Sequence, residues 1–517
     1  MKKIITILTV ALLFLLPFQT RLIILPGSLG GTLSVPKPTL SVGGYFEYGT
    51  ISLYGTEILL WLIVVLLIVQ YFISKPVAAP GQGGRFKIFV SLRDIPRRGI
   101  FLFFGFLVFL FARPALLTLN YARLWLEGIL IFLIIRGVGE KIYLIWAFIG
   151  GAALQAILGI YQFFSQSAFA SKWLGMAAHD PSVLGTFVVE TASGRWLRAY
   201  GAFPHPNILA GYLVAAILLI IIKMISHPLS LPLGQGEKDD SSPYNSLSER
   251  ACLSGRQARN AKAGRGFGII ILPILSAGLF FTFSRGAWLA LAVGLIIFLI
   301  LGLRSYLRQF KTFSHSRECE NVFRLGVWSL SVVLVIMAIL TGIYWPLVSA
   351  RTLADGRLEI KSSSERIGYY REAWTLIKNH PLIGVGLGNY TRAVHDEIDA
   401  ARPASPVASP VGLRPMGLQP RAYGYQPVHN VFVLALAELG VIGIFLIAAA
   451  MFVLRKLIPW KKIIYFAPFA VIGLFDHYLW TLYPGILLVA VFSGLIFTPR
   501  EAPLLTGHTR KFVDDEG

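Results

Sequence analysis

Charge is scarce in this sequence. Only 14% of its 517 residues are Asp, Glu, Lys or Arg, whereas a soluble domain carries about 25%. With 55% hydrophobic residues and a mean hydropathy of +0.67, there is not enough polar material to cover a soluble surface. Lipid must therefore solvate much of the chain. Acidic residues are scarcer than basic ones, 26 against 47, for a net charge of +21. In a soluble protein that excess would suggest nucleic acid. Here the Lys and Arg residues sit mostly in short loops between apolar runs, the pattern that orients a membrane protein, so no nucleic-acid partner is expected. Cysteine is nearly absent. Cys252 and Cys319 both fall in loops expected on the cytoplasmic side, which argues against a structural disulfide. Carboxylates are also missing where a metal would need them. The first outer loop, about 26–54, has Glu47 alone, and the outer surface offers no cluster suited to Mg²⁺ or Mn²⁺. The expectation is no metal and no cofactor.

What is present is a series of long apolar runs, at about 4–25, 55–74, 99–118, 121–137, 141–163, 206–226, 267–283, 286–303, 325–347, 430–454, 463–477 and 479–498. A helix needs roughly 20 residues to span a bilayer. The sequence thus predicts an all-α polytopic membrane protein with about twelve transmembrane helices. The pairs 267–283/286–303 and 463–477/479–498 form tight hairpins. An apolar run follows Met1-Lys2-Lys3 without a small-residue cleavage site, which favours an uncleaved first helix over a signal peptide. Lys75 to Arg98, Arg136 to Lys141, the stretch 227–266, Arg304 to Arg324, and Arg455 to Lys462 all fall on one side when twelve spans alternate. That side is the cytoplasm, with both termini inside.

This topology divides the chain into N-terminal helices 1–163, an extracytoplasmic loop 164–205, helices 206–347 with a disordered cytoplasmic insertion at 227–266, a large extracytoplasmic loop 348–429, helices 430–498 and a cytoplasmic tail 499–517. The large loop precedes the tenth helix. Ser362-x-x-Glu365 in that loop has the form of a capping box. It predicts a helix whose Ile367, Tyr370, Trp374 and Ile377 pack on the membrane face of the protein and which Pro381 stops. The proline-rich run 402–427 reads as an extended segment.

Ionisable residues at membrane depth are costly and need a reason. Three stand out, all at the expected outer interface. Arg198 lies in Arg198-Ala-Tyr-Gly-Ala-Phe-Pro-His-Pro-Asn207, Arg285 lies at the tip of a tight hairpin, and His429 lies in Gln426-Pro-Val-His-Asn430. A guanidinium pairs bidentately with phosphate oxygens, and an imidazole takes a proton near neutral pH. Two arginines and a histidine therefore suit attack on a sugar carried by a lipid diphosphate. The bland readings are an interfacial Arg that snorkels to headgroups and a His that caps a helix. Supporting candidates are His205, Asn207 as an N-cap, Arg366, Asn430 and Glu438, the last deeper on the helix and read as a buried packing partner. Asp476-His477 can line the site. Gly384-Val-Gly-Leu-Gly388 lacks the preceding strand and following Lys of a nucleotide loop.

Arg198-Ala-Tyr-Gly-x-Phe-x-His-Pro-Asn207, Ser284-Arg285-Gly286-x-Trp288, Glu365-Arg366 to Trp374, His380-Pro-Leu-Ile-Gly-Val-Gly-Leu-Gly-Asn-Tyr390 and His429-Asn430 with Glu438-Leu-Gly440 together resemble the O-antigen ligase and O-antigen polymerase superfamily. The resemblance runs from about 190 to 445. It implies a GT-C-like membrane glycosyltransferase of the cell envelope. Such an enzyme takes a glycan from undecaprenyl diphosphate at the outer side of the bacterial plasma (inner) membrane. It passes the glycan to an acceptor hydroxyl on lipid A-core, growing polysaccharide or protein. The resemblance implies that Arg198 and Arg285 bind the diphosphate and that His429 is catalytic. The insertion at 227–266 and the proline-rich run depart from the family pattern and leave the acceptor open. A polytopic secondary transporter or a flippase of lipid-linked sugar would also suit twelve helices. The halves show no repeat relation, however, and the large outer loop is unusual for a carrier.

Overall fold

The computed structural model describes residues 1–25, 47–73, 116–138, 141–226, 268, 270–311, 317–353, 356–399, 425–453 and 460–497. The expected span at 99–118 up to residue 115, the insertion 227–266 with Cys252, the basic loop after residue 73, the proline-rich run up to residue 424 and the tail 499–517 lie outside the described residues.

The chain is mostly helical. Helix α1 (Lys2–Leu15) is followed by an antiparallel pair, β1 (Arg21–Leu25) and β2 (Ile51–Tyr54), and by α2 (Gly55–Ile73). Next come α3 (Leu116–Gly137) and α4 (Lys141–Ser165), a hairpin of β3 (Val188–Thr191) and β4 (Gly194–Leu197), and α5 (Pro206–Ser226). Helices α6 (Ile270–Phe281), α7 (Arg285–Lys311), α8 (Arg317–Ile343), α9 (Trp345–Thr352) and α10 (Arg357–Asn379) follow. The chain ends with α11 (Val431–Val453), α12 (Ala467–Phe475) and α13 (Tyr483–Ile496). Among the described residues, seven helices are long and apolar enough to cross a membrane, and three shorter ones are apolar. This is a multi-pass membrane protein.

The structure amends several expectations. The first apolar run is helical only to Leu15, just before Pro17, which supplies no amide hydrogen to the helix. Fourteen residues reach only about 21 Å, and α1 packs against α4 and α2. The two β-hairpins modify the all-α reading. Cys319 lies in the first turn of α8 rather than in a loop. Helix α10 starts at Arg357 after Gly356, five residues before Ser362, and has no side-chain cap. Of the apolar stripe of α10, only Ile377 packs against the buried residues of the protein. Ile367, Tyr370 and Trp374 are exposed, while Ala373 and Leu376 are fully buried.

Helix α5 is the hub. Within its span 89% of residues are buried, against 11% for α8. It packs on α4, α7, α8 and α13. No hydrophobic force separates lipid from leucine, so close contact relies on small residues. A Cβ on Gly278 of α6, for example, would come within 2.6 Å of Ala156 Cβ in α4. Helix α3 lies along α13, and α12 along α7.

Helix α11 is broken at Gly440, whose φ is 62°. The break strands backbone groups that lipid cannot satisfy. The glycine-rich segment after α10 fills the gap. Val385 and Gly386 donate to the carbonyls of Ala437 and Glu438 at 3.0 and 2.8 Å. Val441 and Ile442 donate to Pro381 and Leu382, each at 3.0 Å. The glycines of His380-Pro-Leu-Ile-Gly-Val-Gly-Leu-Gly388 thus serve backbone pairing rather than phosphate binding.

Candidate active site

The α6–α7 turn is the seat of the site. It reverses through Thr282, Phe283 and Ser284, with Phe283 at a φ of 46°. Carbonyls at the end of a helix lack intrahelical partners and favour cations. Two arginines take them. Arg198, just after β4, donates from Nε to Thr282 O at 2.7 Å, and Arg351 donates from Nε to Phe283 O at 3.2 Å. The same turn opens α7, whose first residue is Arg285. Arg285 donates to Arg351 O at 2.9 Å and to Glu359 Oε2 at 2.8 Å. The other oxygen of Glu359 accepts from Arg351 Nη1. One buried carboxylate therefore bridges two guanidiniums that would otherwise repel each other.

Beside this cluster lies a cavity of about 240 Å³. Its wall includes Ser284, Arg285, Gly286 and Ala287 from the first turn of α7, with Arg351, Arg366, Asn207 and Asp476. Three arginines and a helix N-terminus face one space. Amide hydrogens and the helix dipole add positive potential there. Each bridged arginine has N–H groups beyond those that hold Glu359.

Arg198 does not line the cavity. It is 3% exposed, and its Nη2 donates to Asn207 Oδ1 at 2.8 Å. Burial and the nearby Arg351 push its pKa below the usual arginine range. A guanidinium still keeps its proton near neutral pH. Asn207 sits inside the first turn of α5 and is not its N-cap; its own backbone N–H donates to His205 Nδ1 at 3.0 Å. Asn207 Nδ2 donates to Asp476 Oδ2 at 2.7 Å. Arg198, Asn207 and Asp476 thus form a hydrogen-bonded chain from the α6–α7 turn to the cavity wall.

Asp476 and His477 cap the end of α12, and the His477 N–H donates to Asp476 Oδ1 at 2.8 Å. Burial alone would raise the Asp476 pKa, but His477, His429 and His205 and the Asn207 hydrogen bond hold it down to about 2. Burial lowers His205 and His477 to about 3 each. His477 Nδ1 meets Thr481 Oγ1 at 2.8 Å and Nε2 meets the Tyr48 hydroxyl at 3.4 Å. The His477 ring lies edge-on to His429, with centroids 5.1 Å apart.

His429 is held against the stacked ring of Tyr369 at 5.7 Å. Its Nδ1 is buried without a hydrogen-bond partner among the described residues. Burial lowers its pKa; Asp476 opposes and Arg366 reinforces that shift. The imidazole is therefore neutral at pH 7 and able to accept a proton.

Asn430 is the N-cap of α11: its Oδ1 accepts from Phe432 and Val433 amides at 3.0 and 3.1 Å. Glu438 is buried and accepts from Trp480 Nε1 at 2.8 Å. Arg366 is on the cavity wall. Arg351 and Glu359 escaped the sequence reading, although Arg351 stands at the end of an apolar stretch just as Arg198 borders one. Asp476 and His477 are the only Asp, Glu, His, Lys or Arg residues between Lys462 and Arg500. That isolation is a stronger signal than the sequence reading gave them.

Residues 270–448 match a family model described as O-antigen ligase. Through this segment the chain is similar to the O-antigen ligase superfamily. Members of the superfamily are glycosyltransferase-like enzymes of O-antigen ligase and polymerase type, working within a membrane on a lipid-linked glycan donor and a glycan acceptor. The matched segment holds Arg285, Arg351, Glu359, Arg366 and His429, while Arg198, Asn207, Asp476 and His477 lie outside it. No curated protein matches the chain significantly.

Proposed function

We propose that the protein transfers a glycan from undecaprenyl diphosphate to an acceptor hydroxyl, on the outer side of a bacterial inner membrane. Twelve spans with both termini inside would place the cavity at that face. The observation that carries the reading is the cavity wall, where Arg285, Arg351 and Arg366 meet the N-terminus of α7. That arrangement suits a diphosphate, whose charge rises as it leaves.

In this reading Arg285, Arg351 and Arg366 hold the diphosphate. Arg198 is a positioning residue that acts through Asn207 on Asp476. His429 takes the proton of the acceptor hydroxyl. The hydroxyl oxygen attacks the anomeric carbon, and the bond from that carbon to the diphosphate oxygen breaks with its electron pair on the oxygen. The products are the new glycoside, undecaprenyl diphosphate and a proton on His429. Attack from the face opposite the leaving group inverts the anomeric centre. Neither a metal nor a cofactor has a role in these steps. The acceptor can be lipid A-core, polysaccharide or protein.

The test is turnover by the purified protein in lipid nanodiscs. His429→Ala and Arg285→Ala should each abolish transfer while leaving expression and folding intact. Wild-type consumption of the lipid-linked glycan by either variant would overturn the site assignment. Loss of activity with EDTA and recovery with Mg²⁺ would overturn the metal-independent mechanism.

A further inference from the structure

Helix α10 has two faces of opposite character. One is buried on the protein and carries Glu359, Ala373 and Leu376. The other exposes Ile360, Ile367 and Trp374, at 58%, 55% and 57%. These residues recur every seven positions. Such a repeat drifts by only about 20° per step on a helix, so it forms one nearly straight line. Arg371 and Lys378 follow Ile367 and Trp374 by four residues each, which puts them on the same line. Both are exposed, and the Lys378 ammonium sits 5.5 Å from the centre of the Trp374 ring. The acidic residues of the helix lie elsewhere. Glu359 and Glu372 are buried, and Glu365 lies off the line, 3.8 Å from Lys361.

An apolar line with a tryptophan and cations, and without a carboxylate, is the composition of a helix at a lipid–water boundary. The chain leading to it supports the same partner. Helix α8 exposes Val335, Ile339 and Ile343 along a span that is only 11% buried. Trp345, the first residue of α9, and Leu353, just past its end, then remain exposed. The exposed apolar surface thus follows the chain from a lipid-facing span to α10.

We propose that α10 lies in the headgroup layer of the bilayer. Ile360, Ile367 and Trp374 would enter the acyl boundary, and Arg371 and Lys378 would meet the phosphates of anionic phospholipids. The bilayer surface would then back the helix whose opposite face holds Glu359 under Arg285 and Arg351. This inference does not depend on the reaction the site performs.

The test uses the full chain in nanodiscs, with Cys252 and Cys319 changed to Ser. A single cysteine replaces Ile360, Ile367 or Glu365 and carries an environment-sensitive fluorophore. Labels at positions 360 and 367 should emit at shorter wavelength than the label at 365, and brominated phospholipid should quench them. Raising the anionic lipid fraction should strengthen that quenching severalfold, and Arg371→Glu with Lys378→Glu should remove the dependence. As a label-free check, Trp374→Phe should reduce the brominated-lipid quenching of total tryptophan emission. Labels at 360 and 367 as accessible to aqueous iodide as the label at 365 would overturn the proposal. So would labels shielded from iodide but not quenched by brominated lipid, because another protein would then cover the line.

Discussion

Glu359 shows how a single residue can set the character of this site. Its two oxygens hold Arg285 and Arg351 side by side. Removing its charge should let the guanidiniums separate and leave the cavity with a poorer grip on an anion. Glu359→Gln is expected to raise the donor KM by about tenfold, equivalent to about 1.4 kcal/mol, with a smaller effect on kcat. Glu359→Asp should recover part of the loss; steady-state kinetics with the lipid-linked donor measure both. His429 yields a pH prediction. A base works in its neutral form, which predominates above its pKa, and burial lowers that pKa. The acid limb of the kcat/KM profile should therefore fall below the ordinary histidine value of about 6.5. At this scale Arg285 and His429 could be singled out from the sequence, because a charged or basic group beside apolar runs stands out. The sequence was a poorer guide to Arg351 and Glu359. Their importance comes from meeting across 66 and 74 residues of chain from Arg285, and no local pattern encodes that meeting.

Elements were legible where lipid imposes them and less so where tertiary contacts decide. The runs at 55–74, 141–163 and 206–226 became helices within about two residues of their expected ends. The capping box at Ser362 did not start α10, since the helix begins earlier and places Glu359 in its first turn. There the carboxylate suits both the helix dipole and the two arginines. The glycine-rich segment could be seen in the sequence, but its partner could not. It closes the break in α11, where Gly440 holds a left-handed φ of 62°. A side chain there costs about 1–2 kcal/mol for the conformation alone, and its Cβ would run into the backbone of Leu382. Gly440→Ala should therefore destabilise the protein by at least about 2 kcal/mol. Gly368→Ala, at an open position on α10, should be neutral or mildly stabilising. Thermal unfolding of both variants in the same detergent makes the comparison.

For the whole molecule, composition alone required a multi-pass membrane protein, and the helices follow. Composition did not show that α5 lies at the centre, because apolar residues face lipid and protein alike. Nor did it show that chain segments as distant as the start of α5, the α6–α7 turn, α10 and the end of α12 would meet at one cavity. That convergence is what the proposed function rests on, in which the cavity would hold the diphosphate and His429 would be the base. Equilibrium binding of undecaprenyl diphosphate to the protein in nanodiscs tests it most directly, since binding is read apart from turnover. The account predicts that Arg285→Ala combined with Arg351→Ala weakens binding by at least about 100-fold, equivalent to about 2.7 kcal/mol. His429→Ala should bind as tightly as the wild type and yet fail to transfer. Unchanged affinity in the double arginine variant would contradict the account.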